Sequence, residues 1–278
     1  MSERDRRAVA AWLFLCAALT FAIVVVGGIT RLTESGLSIA EWQPLVGALP
    51  PLSQSDWEAL FARYRETPQF HKVFSEIGLE GFKRIFWWEY SHRLLGRTVG
   101  LVFLLPFLYF LWKRKVQGAL TYKLLGVFIL GGLQGALGWY MVKSGLVEDP
   151  RVSPFRLTAH LGLAILIFGA MLWVAMSLLF APAPSRDDPA ARSARRWSAG
   201  VAWLTFAMIL TGGFVAGIRA GFAYNTFPLM NGSIVPPEIL MLEPWWSNFF
   251  WNMATVQFDH RLGAWLLAFT VPAAWWAV

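Results

Sequence analysis

Long apolar runs alternate with shorter polar segments along the chain. A helix that crosses a membrane needs about 20 predominantly apolar residues, and six runs come close to that length. They are Trp12–Ile29, Tyr90–Trp112, Tyr122–Val142, Leu157–Phe180, Ala199–Ile218 and Val256–Val278. The composition agrees, because 56% of the 278 residues are hydrophobic and the mean hydropathy is +0.49. The pattern predicts an all-α integral membrane protein, a bundle of transmembrane helices.

Positive charge is distributed unevenly between these runs. Basic residues cluster before the first run, after the second and between the fourth and fifth, at 4–7, 113–115 with Lys123, and Arg186, Arg192, Arg195 and Arg196. Lys and Arg are enriched in cytoplasmic loops, so the N-terminus and these two loops are predicted to be cytoplasmic and the other loops to face outward. The net charge of +7 therefore reports topology rather than nucleic-acid binding.

Two of the outward segments are long. Residues 31–89 contain SQSDWEALFARYRE, in which Ser55-Asp56 has the character of a helix cap. The apolar positions of this stretch fit one face of a short amphipathic helix on the outer surface: Trp57, Leu60, Phe61 and Tyr64. The Pro, Asn and Gly residues of 219–252 predict an ordered loop rather than a helix.

The chain also contains an internal repeat. GGITRLTESGLS begins at Gly27, at the end of the first run, and GGFVAGIRAGFA begins at Gly212, at the end of the fifth. EYSHRLLG opens the second run and QFDHRLGA opens the sixth, so His-Arg-Leu recurs at the same place. The repeat predicts two pseudosymmetric four-helix units, assigned to residues 1–185 and 186–278. About six of the eight helices would then lie in this chain, with two further spans and a fourth histidine expected beyond Val278.

Three of the four histidines fall at one depth in the predicted topology. His92, His160 and His260 each lie near the start of a run that enters the membrane from the outward side. Imidazole binds heme iron without adding charge, and histidines from two neighbouring helices can hold the iron from both sides. We therefore expect one heme between His92 and His160 and another at His260. A single histidine at a helix end is more often an interfacial hydrogen-bonding group, but three at one depth favour iron ligation.

Arginines and a glutamate accompany the histidines. Arg93 and Arg261 each directly follow a candidate ligand, and Arg97 lies one turn beyond Arg93. These arginines are candidate partners for heme propionates. Glu89 precedes His92 by three positions, so both lie on one face of a helix. Glu89 is a candidate for chemistry at the heme edge, with pairing to Arg93 or helix capping as equal alternatives. Small residues that would let a flat macrocycle approach the backbone occur nearby, at Gly96, Gly162 and Gly263.

The motifs around the histidines form one specific combination. They are EYSHRLLGRTVGL, GGITRLTESGLSI, AHLGLA, and YNTFPLMNG followed by DHRLGA. This combination resembles the heme A synthases of mitochondria and alphaproteobacteria, and the likeness extends from about residue 12 to the end of the chain. The resemblance implies a fold with two-fold pseudosymmetry. It also implies that heme O is converted to heme A, for terminal oxidases, by oxidation of a ring methyl group to a formyl group.

The resemblance also implies roles for individual residues. His260, with Arg261 beside it, would hold a heme b cofactor. His92 and His160 would flank the iron of the substrate heme O, and Glu89 would act near the methyl group that is oxidised. Two features depart from the family pattern. The fourth ligand histidine does not occur within these residues, and the paired loop cysteines of another branch are absent, since the chain has one cysteine.

The implied location is the inner membrane of a bacterium, with the N-terminus in the cytoplasm and the heme sites near the outer face. The expected partners are heme O and the enzyme that supplies it, an electron donor, membrane lipid and the assembly of cytochrome oxidase. A homo-oligomer is an open alternative, and nucleic acid is not expected.

Two other functions fit the same motifs. A bis-histidine b-type electron-transfer cytochrome would hold permanent hemes and would give Glu89 no chemistry. A heme-handling chaperone or transporter would account for the repeat and the Gly-rich span ends, and it would bind heme without making a formyl product.

Overall fold

The structure, a computed structural model, describes residues 1–41, 46–147, 149–180 and 188–277. Helices make up the regular structure of these ranges, apart from an isolated β-bridge between Met230 and Ser233. The α-helices are α1 (Glu3–Leu32), α2 (Gln54–Tyr64), α3 (Pro68–Lys72), α4 (Leu79–Trp112), α5 (Ala119–Ser144), α6 (Pro154–Leu179), α7 (Pro189–Gly217), α8 (Asn248–Trp251) and α9 (Met253–Ala277). The predicted all-α architecture is confirmed.

Five helices in the described ranges are long and apolar enough to cross a membrane. They are α1, α4, α5, α6 and α7, and they cover the first five predicted runs except for the last residue of the fourth and fifth, Phe180 and Ile218. The chain is therefore a multi-pass membrane protein. The sixth run, Val256–Val278, lies largely in α9, which has 25 residues but is not among these five. Its role as a further span stays a prediction.

The chain divides into two compact units. The first comprises Met1–Val152 with Leu163–Phe180, and the second comprises Ser153–Gly162 with Ala181–Val278. Helix α6 therefore contributes its N-terminal part to the second unit and the remainder to the first. The predicted boundary between two four-helix halves falls in 181–187, which lies outside the described residues. The boundary therefore stays a prediction. Arg186 lies in the same range.

An apolar core joins α1, α4, α5 and the C-terminal part of α6 in the first unit. Its buried side chains include Leu13, Cys16, Phe103, Phe107, Leu124, Met171 and Ala175. Helix α4 passes through this core although it contains Pro106. Because proline has no N–H, the carbonyl of Val102, four residues earlier, loses its helical partner. The indole N–H of Trp12 in α1 donates to this carbonyl at 2.8 Å, so the polar group is satisfied inside the core.

Helix α2 confirms the short helix predicted between the first two runs. Its N-cap is Ser53, whose hydroxyl accepts a hydrogen bond from the Asp56 amide at 3.1 Å. The Asp56 carboxylate accepts one from the Ser53 amide at 3.0 Å, which completes a capping box. The cap therefore begins two residues before the predicted Ser55.

The apolar face of α2 packs on α4. Trp57 lies against Phe86 with ring centroids 4.9 Å apart, and Tyr64 stacks on Phe82 at 5.0 Å. Tyr64 and Phe82 are almost completely buried. The apolar face of α2 is therefore buried against the aromatic side chains of α4. The location of this helix on the outer surface stays a prediction.

In the second unit, α7 packs against α9 and against the N-terminal part of α6. Phe155 of α6 contacts Phe214 of α7 and Phe250 of α8, with centroids 5.2 and 5.1 Å apart. The segment 219–252 contains α8 and two single 3₁₀ turns, Ala220–Phe222 and Trp245–Ser247. The remainder of this segment is loop, as predicted.

Candidate functional site

His92 lies in α4 and its ring faces α1. A methyl group added at Gly27 of α1 would come within 3.1 Å of His92 Nε2. A glycine at this position therefore leaves room for the imidazole between the two helices. The next residue, Gly28, has open space around it, so only the first glycine of the pair contacts the candidate ligand.

His260 lies in α9 and makes the equivalent contact with α7. A methyl group at Gly212 would come within 3.0 Å of His260 Cε1. Gly27 and Gly212 each begin a Gly-Gly pair, and His92 and His260 each begin a His-Arg-Leu motif. The two sequence repeats therefore place the same glycine against the same histidine in each unit.

The hydroxyl of Thr211 orients the ring of His260. Thr211 Oγ1 lies 2.9 Å from His260 Nδ1 and donates to the Met208 carbonyl at 2.8 Å. Since the hydroxyl proton is directed to Met208, this contact is a hydrogen bond in the His260 tautomer that carries its proton on Nδ1, with Thr211 as the acceptor. Nε2 of His260 then keeps a free lone pair, which is the form of histidine that ligates a metal. The sequence did not indicate Thr211, because Val26 occupies its place in the first repeat.

His160 belongs to the part of α6 that lies in the second unit. On either side of it in sequence, Thr158 and Gly162 pack closely on α7. A methyl group at Gly213 would meet Thr158 Oγ1 at 2.7 Å, and one at Gly162 would meet Leu210 at 2.8 Å. This packing fixes the helical segment that carries His160. The assignment of His92 and His160 to one heme stays a prediction.

Glu89 is buried in α4, with 3% of its surface exposed. Its Oε1 accepts hydrogen bonds from Arg93 Nε at 3.1 Å and Arg93 Nη2 at 2.6 Å. Its Oε2 accepts from the Ser38 hydroxyl at 2.7 Å and the Ile39 amide at 2.8 Å. Of the three roles considered for Glu89, the structure shows the pairing with Arg93.

Arg93 extends this network to the loop that follows α1. Its Nη2 donates to the Ile39 carbonyl at 2.9 Å, and its Nη1 donates to the Glu41 carbonyl at 3.1 Å. Arg97, one turn further along α4, is partly buried. The propionate roles predicted for both arginines stay predictions.

Gln257 and Arg261 form a related network in the second unit. Gln257 Nε2 and Arg261 Nη2 both donate to the Tyr224 carbonyl, each at 2.9 Å. Arg261 Nη1 also donates to the Leu229 carbonyl at 3.3 Å. The Tyr224 hydroxyl donates to Glu238 at 2.7 Å, and burial together with this carboxylate raises the pKa of Tyr224. Gln257 was not selected from the sequence, although the repeat aligns it with Glu89.

The three glycines predicted to admit a macrocycle contact neighbouring helices instead. A methyl group would meet Ile23 of α1 at Gly96, Leu210 of α7 at Gly162 and Met208 of α7 at Gly263, at 3.4, 2.8 and 3.4 Å. Only at Gly162 is the neighbouring side chain too close for a methyl group, because 3.4 Å is an ordinary van der Waals contact. The glycines that face the histidines are Gly27 and Gly212.

Comparison with known proteins decides the family. The pattern of the family described as "Cytochrome oxidase assembly protein" matches residues 10–278. The chain belongs to this family. A relative from Nitrosospira multiformis, named Heme A synthase, is 61% identical over 270 residues, which cover 97% of this chain and 76% of the relative.

Other members of the family carry the same name. A relative from Nitrosomonas eutropha is 54% identical over 268 residues, covering 96% of this chain and 75% of its own. One from Parvibaculum lavamentivorans is 49% identical over 276 residues, which cover 99% of this chain and 79% of the relative. No solved structure matches the chain. Membership of the family agrees with the resemblance found in the motifs around His92 and His260.

Proposed function

We propose that the chain is a heme A synthase, an oxidoreductase that converts heme O to heme A by oxidising a ring methyl group to a formyl group. The observation that carries this proposal is the 61% identity to a relative named Heme A synthase over 97% of the chain. The same family is described as serving cytochrome oxidase assembly, which is the process that would use the product.

The geometry around His260 supports a heme b cofactor in the second unit. The Thr211 hydroxyl presents His260 with Nε2 free, and Gly212 leaves space for the ring. Both features suit a histidine that ligates iron, because metal-bound histidines commonly have their second nitrogen fixed by a hydrogen bond. His260 would hold the iron, with Arg261 as the candidate propionate partner. Bound heme would supply the redox chemistry.

The substrate heme O is assigned to His92 and His160, with Arg93 and Arg97 as candidate propionate partners. Gly27 of α1 leaves space for the ring of His92, which lies in α4. Glu89 belongs to this site by its position three residues before His92. The proposed location is a bacterial inner membrane, with a cytoplasmic N-terminus and heme sites near the outer face. An electron donor and the enzyme that supplies heme O are the proposed partners.

Conversion of heme O tests the proposed function. Membranes that contain the chain are supplied with heme O, and the extracted hemes are separated by chromatography. We expect heme A from the wild type and none from His92→Ala or His160→Ala, because each variant removes a proposed iron ligand. His71→Ala is the control, since His71 is exposed in α3.

Two outcomes would contradict the proposal. Heme b alone in the purified wild-type protein, without heme A formation, would favour the electron-transfer cytochrome. Bound heme O that is never converted would favour a heme-handling protein. Heme A formation in both histidine variants would reject the ligand assignment while leaving the activity in place.

A further inference from the structure

The arginines that follow the two histidines make the same hydrogen bond in both units. Arg93 Nη2 donates to the Ile39 carbonyl and Arg261 Nη2 donates to the Tyr224 carbonyl, both at 2.9 Å. Ile39 lies as far beyond Gly27 as Tyr224 lies beyond Gly212. In both units, therefore, Nη2 of the arginine in the His-Arg-Leu motif donates to the backbone carbonyl at the equivalent position of the repeat.

We propose that each arginine and the side chain four residues before it form a loop clamp that positions the loop beside the histidine. The first clamp is Glu89 with Arg93 and holds residues 33–41, which follow α1. The second clamp is Gln257 with Arg261 and holds residues 219–231, which follow α7. The inference rests on the proposed function only for the identity of the iron ligands, since the clamps themselves are contacts within the chain.

The geometry of the first clamp gives Glu89 a positioning role. Both carboxylate oxygens are engaged, and all the groups that bind them are hydrogen-bond donors: two guanidinium nitrogens, a hydroxyl and a backbone amide. In this arrangement both carboxylate oxygens accept hydrogen bonds from the chain itself, which fixes the position of the side chain. This positioning role is an alternative to the catalytic role that the resemblance implied, and the kinetics below separate the two.

Burial gives the first clamp its strength. The side chains of Glu89 and Arg93 are 4% and 19% exposed, and their charges neutralise each other. Hydrogen bonds that involve ionised groups are stronger than neutral ones, and removing one partner leaves the other charge buried. Because Arg93 also binds two loop carbonyls, loss of Glu89 would release the arginine and the loop together.

The two clamps differ in charge. Glu89 is replaced by neutral Gln257 in the second, so that clamp keeps the positive charge of its arginine. Ser38 is replaced by Ala223, which has no hydroxyl to donate. Accordingly, Gln257 Oε1 is buried without a hydrogen-bond partner among the described residues. The first clamp is therefore neutral and both of its carboxylate oxygens are bonded, whereas the second is positively charged and has an unused acceptor.

Amide hydrogen exchange on the full chain in detergent tests the first clamp directly. In Glu89→Ala, we expect exchange in peptides covering 33–41 to become roughly 10- to 100-fold faster, because hydrogen bonds to a charged group are lost. Peptides covering 219–231 should keep their wild-type rates. Glu89→Gln should give a smaller increase, because its amide oxygen still accepts a hydrogen bond.

Two further variants keep the test decisive. Ser38→Ala removes one bond to Glu89 without disturbing the ion pair and should accelerate exchange in 33–41 by a few-fold if Glu89→Ala fails to fold. Glu80→Gln is the matched control on α4, since Glu80 forms an exposed salt bridge with Lys83. Unchanged exchange in 33–41 for Glu89→Ala, or for Ser38→Ala when the former does not fold, would overturn the clamp.

The kinetics of heme O conversion separate positioning from catalysis. A positioning role predicts that Glu89→Gln recovers most of the kcat that Glu89→Ala loses, in step with the restored loop protection. Equal loss of kcat in both variants, with near-native loop exchange in Glu89→Gln, would instead make Glu89 catalytic and overturn the inference. The exchange result does not depend on heme, so failure of the clamp and failure of the proposed function are distinguishable.

Discussion

At the residue scale, a hydroxyl in α7 determines how His260 presents its nitrogens. The Thr211 side chain is placed between the Met208 carbonyl and His260 Nδ1, so it donates to one and accepts from the other. The first unit has Val26 at this position, which offers the His92 ring no such bond. The two candidate ligands therefore differ in how firmly their rings are oriented, although their motifs are alike.

We predict that Thr211→Val weakens heme retention at His260. Valine keeps the shape of threonine but removes the acceptor for Nδ1–H, and loss of such a partner typically costs about 10- to 100-fold in metal affinity. Heme content by pyridine hemochrome, measured after exchange against apomyoglobin, reports this change. The control is Thr205→Val on the same helix, because the Thr205 hydroxyl bonds to its own helix at Val201. Equal heme retention by the two variants would remove Thr211 from the site.

At the element scale, α1 compensates for a proline in α4. Pro106 deprives the Val102 carbonyl of its helical partner, and the Trp12 indole replaces that partner. The Trp12 ring also packs on Phe103 and Phe110, with centroids 4.9 and 5.4 Å away. The pairing of α1 with α4, which brings Gly27 to His92, thus combines apolar packing with one hydrogen bond that α4 requires.

We predict that Trp12 and Pro106 are energetically coupled. Trp12→Phe leaves the Val102 carbonyl with only the weak Cys16 thiol donor, 3.9 Å away, whereas Pro106→Ala supplies a backbone N–H for it. The destabilisation by Trp12→Phe should therefore be smaller in the Pro106→Ala background, by about 1 kcal/mol. The coupling energy between the two substitutions is measured from the free energies of unfolding of the four proteins in the double-mutant cycle, determined by detergent titration. Additive effects of the two substitutions would show that the hydrogen bond contributes nothing.

At the scale of the whole molecule, the placement of Lys and Arg along the chain predicts its orientation in the membrane. Basic residues at 4–7 precede α1, and those at 113–115 lie between α4 and α5. One of the two helices α1 and α4 separates each of these basic segments from the loop that contains α2 and the residues held by the first clamp. The positive-inside rule places the basic segments in the cytoplasm and this loop outside.

We predict that alkaline phosphatase fused after Leu52 is active and that the same enzyme fused after Gln117 is inactive. Alkaline phosphatase folds only outside the cytoplasm, and the two fusion points are predicted to lie on opposite sides of the membrane. Phosphatase activity in cells, normalised to the amount of fusion protein, checks this orientation. A green fluorescent protein fused at the same two positions is the control, since its fluorescence should show the opposite pattern. Reversal at both positions would place the N-terminus outside.

Much of the fold and part of the candidate site could be predicted from local patterns. Apolar run length gave the positions of α1 and α4 to α7, and the amphipathic spacing gave α2. The recurrence of His-Arg-Leu drew attention to His92 and His260. These signals are contained within short stretches of sequence, so they can be read without knowing which helices are neighbours.

The sequence by itself determined the helical membrane class, the candidate histidines and the family, because each depends on composition or on contiguous motifs. Only the tertiary structure decided the contacts of Glu89, the placement of Gly27 against His92 and the role of Thr211 beside His260. Apart from the pairing of Glu89 with Arg93, which the sequence already offers as an alternative, these contacts join residues far apart in the chain. Helix packing selects one partner among several that the sequence allows. The apolar face of α2 shows the same limit, since amphipathic spacing identifies a face that must be buried but not whether lipid or α4 buries it.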